Sequence, residues 1–310
     1  MRIAIALVLL CPSLVFAQPT AAQKKETVKW ITALEAPNGG FYLAPQDPNI
    51  DAKPVPMLRA TNGAVRAMKY LGAEVPNKDK HAAFVLSCYD PKTGGFAEPG
   101  GKPDVTITSI GVMASAELGI PKEKFAKAMD YLKENAKTFE DVRIGAAAVE
   151  AWGVKDCPFD LKEWNEIGKQ HPGMKDAAAE ALRDGEARSL GSVVAFNLRL
   201  GLTRREESVA DHYLALGQRQ DGGWGKKGEK ASDIETTYRV MRAMVLHKDN
   251  PKDNRKHKSA DLAAVRKFVD AHRNKDGGYA TKHGDKSSMS GAYYCVIVSK
   301  WLDDMEAAKK

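Results

Sequence analysis

Apolar side chains recur every three to four residues along most of the chain, which is the spacing of helices that bury one face. No window shows the sustained two-residue alternation of a β-strand, so we predict an all-α protein. The first helix of each predicted pair carries most of the Lys and Glu, and the second is rich in small and apolar residues, as an inner layer requires. The predicted pairs are 23–35 with 57–71, 78–88 with 105–118, 122–136 with 141–152, 160–182 with 187–200, 204–219 with 233–247, and 260–273 with 289–303.

A Gly-Gly-aromatic phrase lies between the two helices of four of these pairs. Glycine supplies the positive φ that ends the first helix, and the aromatic ring can fill the gap between neighbouring hairpins. The first two copies have the same spacing as the last two, which is typical of stacked repeats. Six such hairpins close economically into an α/α toroid, an α/α barrel with inner and outer helix layers. The copies are Gly39-Gly40-Phe41, Gly94-Gly95-Phe96, Gly222-Gly223-Trp224 and Gly277-Gly278-Tyr279.

The start of each inner helix should lie at one rim of this toroid. Asp104 and Asp233 stand at predicted N-caps, and Ser287 or Ser288 stands at the corresponding position of the last hairpin. Because each helix N-terminus carries a partial positive charge, we expect the rim to attract an anion.

The N-terminus has the order of a secretory signal peptide. Arg2 precedes an apolar run that ends in Val15-Phe16-Ala17, and the run is too short to be a transmembrane segment. We therefore predict a signal peptide at 1–17, one toroid domain at 18–310, and a periplasmic or secreted protein. The mature chain keeps an odd number of widely spaced cysteines, which favours buried free thiols over a disulfide framework. They are Cys88, Cys157 and Cys295.

Composition is consistent with one folded domain. Of the 310 residues, 43% are hydrophobic and 28% are charged, which excludes a disordered chain. The formal net charge is +7, and the basic stretch at 248–258 attracts anions in general. That stretch has no interleaved aromatic residues, so we predict no specific nucleic-acid binding.

Two stretches resemble a known superfamily. The run from Tyr213 to Trp224 resembles the repeat that squalene and hopene cyclases share with the β subunits of protein prenyltransferases. Residues 84–88, leading to Gly94-Gly95-Phe96, are similar to the prenyltransferase (geranylgeranyltransferase-type) version in particular. The resemblance covers the mature chain and implies an α/α toroid, but the fold alone does not identify a reaction.

The resemblance also implies where a catalytic zinc ion would be held. The family's Asp position falls on Asp233, its Cys position on Glu235 and its His position on Gly291. A catalytic zinc ion needs about three protein ligands, and this set offers two carboxylates and a glycine. We therefore expect neither a metal nor a cofactor.

The positions that bind the isoprenoid diphosphate in the family are better matched. The resemblance places its basic residues at Lys227, Lys230 and Arg143, and adding the two carboxylates gives Arg143, Lys227, Lys230, Asp233 and Glu235 as candidate ligand-binding residues. Each has a structural explanation as well. Asp233 suits an N-cap, the lysines suit a solvated turn, and Arg143 suits an ion pair with Asp141 or Glu140.

The leading hypothesis is an exported, prenyltransferase-like toroid that binds an apolar or anionic-headed ligand in its central cavity without zinc chemistry. One alternative is an active prenyltransferase or terpenoid-handling transferase. Another is an enzyme acting on extracellular glycan with Asp233, Glu235 and Arg143 at the mouth of the cavity, and a third is a scaffold whose centre is filled by its own side chains. The sequence assigns no catalytic residue and no partner subunit. An apolar cavity would favour isoprenoid-like ligands, and a polar, aromatic-lined cavity would favour glycans.

Overall fold

The computed structural model describes residues 18–46, 54–170, 181–202, 210–248 and 259–307. These ranges contain twelve α-helices and only isolated β-bridges, so the all-α prediction is confirmed. The predicted signal peptide lies outside the described residues. In chain order the helices are α1 (Ala21–Thr32), α2 (Leu58–Tyr70), α3 (Lys78–Ser87), α4 (Val105–Leu118), α5 (Lys127–Asn135), α6 (Phe139–Trp152), α7 (Lys162–Gln170), α8 (Ala187–Arg199), α9 (Ala210–Leu216), α10 (Ile234–Lys248), α11 (Leu262–Asp270) and α12 (Met289–Ala307).

The even-numbered helices form a closed inner ring. Each packs against the next, from α2 through α4, α6, α8 and α10 to α12, and α12 returns to pack against α2. The odd-numbered helices lie outside and contact one or two inner helices each. This is the predicted α/α toroid of inner and outer layers, and it surrounds a central space.

Local sequence explains where the third hairpin departs from the prediction. Its inner helix α6 begins at Phe139, two residues earlier than predicted, because Thr138 and Asp141 form a reciprocal capping box. The Asp141 backbone N–H donates to Thr138 Oγ1 at 3.2 Å, and the Thr138 N–H donates to Asp141 Oδ2 at 2.9 Å. On the outer side, a 3₁₀ turn at Lys122–Phe125 precedes α5.

The fourth hairpin also differs from its prediction. The structure shows α7 only as far as Gln170, and the rest of the predicted helix 160–182 lies largely outside the described residues. A π-helical turn at Leu182–Glu186 leads directly into α8, and Gly185 has a φ of 115° within it. A β-carbon at Gly185 would lie 2.2 Å from the Lys227 backbone nitrogen, so this bend packs closely against the following turn.

Each of the four glycine turns lies within one hairpin and packs against the outer helix of the next. The first glycine of each pair has a positive φ, between 81° and 92°. A β-carbon at Gly94 would lie 2.6 Å from the Lys127 carbonyl oxygen, and one at Gly222 would lie 2.1 Å from that of Ala264. The missing side chain therefore lets each of these turns touch the backbone of the next outer helix.

The aromatic residue of each turn is buried, as predicted. Phe41, Phe96 and Trp224 are fully enclosed and Tyr279 is nearly so. In the first three turns, the aromatic backbone N–H donates to a threonine hydroxyl on the inner helix, and the N···O distances are between 3.0 and 3.1 Å. The turn is thereby anchored to its own inner helix while the ring packs into the core.

Two further expectations can be compared with the structure. Cys88 and Cys295 are buried free thiols, as predicted. Cys157 is also a free thiol, but it is partly exposed, which differs from the prediction. Within the described ranges, no helix has the length and apolar character of a membrane span.

Candidate functional site

The inner ring encloses a cavity of about 330 Å³. Its wall includes residues from the first turns of five inner helices, so the helix N-termini converge on it. Because this space is open, the centre of the ring is not filled by the protein's own side chains. The wall combines charged, aromatic and apolar side chains. Its lining residues are Arg59, Ala60, Asn62, Gly63, Arg66, Thr106, Ile110, Met113, Glu140, Arg143, Ile144, Ala147, Arg199, Glu235, Tyr238, Arg239, Met289, Ser290, Tyr293 and Tyr294.

One group of charges, which we name the upper cluster, lies near the helix N-termini. It consists of Arg143, Arg188, Arg239, Glu140 and Glu235. Arg143 Nη2 donates to Glu140 Oε2 at 2.9 Å, and Arg188 Nη2 donates to Glu235 Oε1 at 2.8 Å. Arg239 bridges the two carboxylates, with Nη1 at 3.2 Å from Glu140 and Nη2 at 2.9 Å from Glu235. Within the described part of the chain, three guanidinium groups thus share two carboxylates.

The arginines keep both carboxylates of the upper cluster ionised. Burial by itself would raise the pKa of Glu140, but Arg143 and Arg239 outweigh it and hold that pKa below its usual value. Glu235 behaves in the same way, because Arg188 and Arg239 outweigh its burial and lower its pKa. Burial, followed by repulsion from Arg239, lowers the pKa of Arg143. The upper cluster therefore carries one net positive charge at neutral pH.

A second group of arginines lies further along the inner helices. We name Arg66, Arg199 and Arg242 the lower arginines. Arg199 Nε donates to Glu150 Oε2 at 3.0 Å, and Arg242 Nη2 donates to Glu150 Oε1 at 2.6 Å. One carboxylate thus serves two guanidinium groups.

Three tyrosines cover the wall between α10 and α12. The hydroxyl oxygens of Tyr238 and Tyr293 lie 3.3 Å apart, and the Tyr294 ring centroid lies 5.0 Å from that of Tyr238. Arg66 Nη1 donates to the Tyr293 hydroxyl at 3.1 Å. Burial would raise the pKa of Tyr238, but the three lower arginines outweigh it and lower that pKa. Burial raises the pKa of Tyr293 instead, so Tyr238 is the more acidic hydroxyl of the pair.

Of the five candidate ligand-binding residues predicted from sequence, two line this cavity and three do not. Arg143 and Glu235 lie in the cavity wall. Asp233 caps α10, because its Oδ1 accepts the Thr236 backbone N–H at 2.8 Å, and this structural explanation is confirmed. Lys227 and Lys230 are exposed on the preceding turn and do not line the cavity, so anion binding by these lysines, at a place separate from the cavity, remains a prediction.

Comparison with known proteins supports this architecture. The prenyltransferase alpha-alpha toroid domain family matches residues 3–151 and 192–310. The chain belongs to this family. No curated protein matches the sequence significantly.

Solved toroid structures are similar over nearly the whole chain. A glycosidase variant and another glycosidase variant in complex with glucose each align with a TM-score of 0.54 at 11% identity, over 91% of this chain and 96% of theirs. A wild-type glycosidase aligns with a TM-score of 0.51 at 11% identity, over 91% of this chain and 95% of its own. At this identity the likeness establishes the fold and no activity.

Membership in the toroid family raises the question of a zinc ion, and the residues at the family's zinc positions fit one poorly. Gly291 offers no ligand atom, and a β-carbon there would lie 2.2 Å from the Tyr279 carbonyl oxygen. Glu235 is held by two arginines, and Asp233 caps its helix. In the described ranges, no three His, Cys, Asp or Glu residues converge as metal ligands. These positions therefore lack the three-ligand set of a catalytic zinc site.

Most of the cavity wall was missed by sequence reasoning. Arg143 was placed by the family resemblance, but a second signal, an arginine within an apolar inner helix, is present at Arg66, Arg199 and Arg239. Arg66, for example, follows Ala64-Val65 and precedes Ala67-Met68. Applying that criterion to every inner helix would have found these arginines, but nothing in the sequence indicates that they share one cavity.

Proposed function

We propose that this toroid is an exported binding protein that holds a small anionic ligand in its central cavity and does not perform zinc-dependent prenyl transfer. The observation that carries the proposal is the upper cluster, where three guanidinium groups share two ionised carboxylates. An anion between Arg143 and Arg239 would accept charge-assisted hydrogen bonds and balance the remaining positive charge.

The character of the wall supports the anionic ligand over the apolar one. Arginines, tyrosines and Asn62 interrupt the apolar surface, and an isoprenoid chain would offer no hydrogen-bonding partner to the donors and acceptors of these groups that the protein itself leaves unused. The cavity volume is at the lower end of the range for small-molecule sites. An anion about the size of a hexose derivative suits both the volume and the charge.

Prenyl transfer is the less supported alternative. It would require a zinc ion to activate a thiol, and Gly291 and the arginine-bound Glu235 are poor replacements for the family's ligands.

Glycan hydrolysis is the second candidate function. It draws support from the two carboxylates in the wall and from the glycosidases among the structural neighbours, one of which is in complex with glucose. Acid–base hydrolysis requires one carboxyl group to stay protonated near neutral pH. The pKa values of Glu140 and Glu235 are both lowered, so this pair lacks the proton donor. We therefore rank anion binding above hydrolysis.

Isothermal titration calorimetry with glucose 6-phosphate and neutral glucose tests the binding proposal. We expect the phosphate to bind more tightly, and Arg143→Gln to weaken it by about tenfold or more, the effect of losing a charged hydrogen-bond donor. Lys227→Gln, which changes an exposed lysine outside the cavity, is the matched control and should have little effect. Equal affinity for glucose and its phosphate, or binding lost in Lys227→Gln but kept in Arg143→Gln, would contradict the proposal.

Export is tested separately. The protein recovered from outside the cytoplasm should begin at Gln18, and intact-mass measurement of that protein would reveal a retained leader if the proposal is wrong.

A further inference from the structure

Among the described residues, the three lower arginines outnumber the two carboxylates, Glu117 and Glu150, that pair with them. Arg66 Nε lies 3.4 Å from Glu117 Oε1 but makes no hydrogen bond. Lys69 Nζ approaches the other Glu117 oxygen at 2.8 Å and competes for the same carboxylate. By contrast, the outer pair of Arg273 and Glu26 is bonded one to one at 2.6 Å.

Arg199 and Arg242 have a similar shortage of carboxylates. Both bond to Glu150, and mutual repulsion adds to burial in lowering the pKa of Arg199. In the described part of the chain, the lower arginines and Lys69 together are opposed by Glu117 and Glu150. A net positive charge therefore remains at this depth, in addition to the charge of the upper cluster.

The pair of Tyr238 and Tyr293 also offers a hydroxyl donor to the cavity that Arg66 and Arg199 line. Arginine can only donate, so the Tyr293 oxygen accepts from Arg66 Nη1. The Tyr293 proton is then free to bond to the Tyr238 oxygen, 3.3 Å away. The proton of Tyr238 itself remains available to an acceptor in the cavity that both tyrosines line.

Members of both charged groups line one cavity: Arg143 and Arg239 from the upper cluster, and Arg66 and Arg199 from the lower arginines. Arg239 of the upper cluster and Arg242 of the lower group lie three residues apart on α10, which corresponds to about 4.5 Å of helix rise. Asn62 also lines the cavity with 5% of its surface exposed, and its Oδ1 has no hydrogen-bond partner. A ligand hydroxyl group could donate to this oxygen.

We propose that Arg66, Arg199 and Tyr238 form a second anion-binding subsite, so that the ligand is a polyhydroxylated organic dianion with one acidic group in each subsite. The two acidic groups are carboxylates or phosphates on a carbon skeleton of about hexose length. The ligand's hydroxyl groups bond to Asn62 and the tyrosines. This inference rests on the proposed function, because it assigns the second half of the same ligand.

Calorimetric titration with D-glucuronate and D-glucarate tests the second subsite. Both are six-carbon polyhydroxy acids, but glucuronate has one carboxylate and glucarate has two. In the wild-type protein we expect glucarate to bind about tenfold more tightly, or more, as for one added charge-assisted contact. Arg66→Gln should remove most of this advantage while glucuronate still binds in the upper cluster.

Two further variants control for indirect effects. Arg273→Gln removes an arginine of an outer ion pair and should leave the advantage of glucarate unchanged. Arg66→Lys keeps the charge and should retain part of the advantage, which separates lost charge from lost folding if Arg66→Gln is unstable.

The outcomes distinguish this inference from the proposed function. If both acids bind the wild-type protein equally and Arg66→Gln changes neither affinity, the second subsite is wrong and the anion-binding function stands. If neither acid binds, both are contradicted. An equal loss of the glucarate advantage in Arg273→Gln would also overturn the subsite.

Discussion

Alanine at Gly94 should destabilise the toroid more than alanine at Gly100, although the two glycines have almost the same φ angle. Gly94 has a φ of 81° and Gly100 a φ of 79°. They differ in their surroundings, because a β-carbon at Gly94 would lie 2.6 Å from the Lys127 carbonyl oxygen. At Gly100 it would meet nothing within 4 Å. The pair therefore isolates the contact between one turn and the next hairpin.

The expected magnitudes follow from these distances. Holding an alanine in a left-handed conformation lowers the free energy of unfolding by roughly 1–2 kcal/mol in each variant. Gly94→Ala should lower it by about 1–3 kcal/mol more, because the new methyl group overlaps the Lys127 backbone, which can move only if α5 shifts. The entropy that alanine removes from the unfolded chain is common to both variants and cancels in the comparison.

Urea unfolding followed by far-UV circular dichroism measures the difference. The unfolding midpoint should fall for both variants and fall further for Gly94→Ala, with a gap of about 1–3 kcal/mol in the free energy of unfolding. Equal losses in the two variants would refute the reasoning, since they would show that the turn does not bear on the neighbouring hairpin.

Three further predictions concern ionisation and exposure. Burial raises the pKa of Asp270 to about 6, so the folded state binds the Asp270 proton more tightly than the unfolded state does. The free energy of unfolding should therefore decrease as the pH rises from about 4 to 6. Since this carboxyl is partly exposed, Asp270→Asn should remove a fall of only about 1 kcal/mol in urea titrations, and an unchanged pH dependence would contradict this. The lowered pKa of Tyr238 predicts that phenolate absorbance appears at a pH below the usual range of tyrosine titration. Tyr238→Phe should abolish this early absorbance. Alkylation followed by mass spectrometry should modify Cys157 in the native protein but Cys88 and Cys295 only after unfolding, and early labelling of either buried thiol would count against the packing.

The fold was predictable because its determinants are local. Each glycine turn, capping residue and apolar stripe acts within one hairpin, and the repeat carries that pattern around the ring. Boundaries failed where a local feature was overlooked, as at Thr138, whose capping box starts α6 two residues early.

The candidate site was only partly predictable, since the direction a side chain faces depends on how the ring closes. Arg143 was recognised by its match to a basic position of the family, and Glu235 by the family's zinc position. Lys227 matched a family position as well, yet it lies on an exposed turn outside the cavity. Arg239, which bridges both wall carboxylates, comes from the same helix as Glu235 but bonds to Glu140 on α6. Such contacts join hairpins that are distant in sequence, and no spacing within the chain encodes them.

The most direct test of an anion-binding cavity is to locate a heavy anion in crystals of the protein. Crystals soaked in selenate and measured at the selenium absorption edge should show anomalous density inside the inner ring, within hydrogen-bonding distance of Arg143 or Arg239. The account predicts this peak together with a second one near Arg66. Selenium on the exposed lysine turn at Lys227 and Lys230, with none inside the ring, would contradict it.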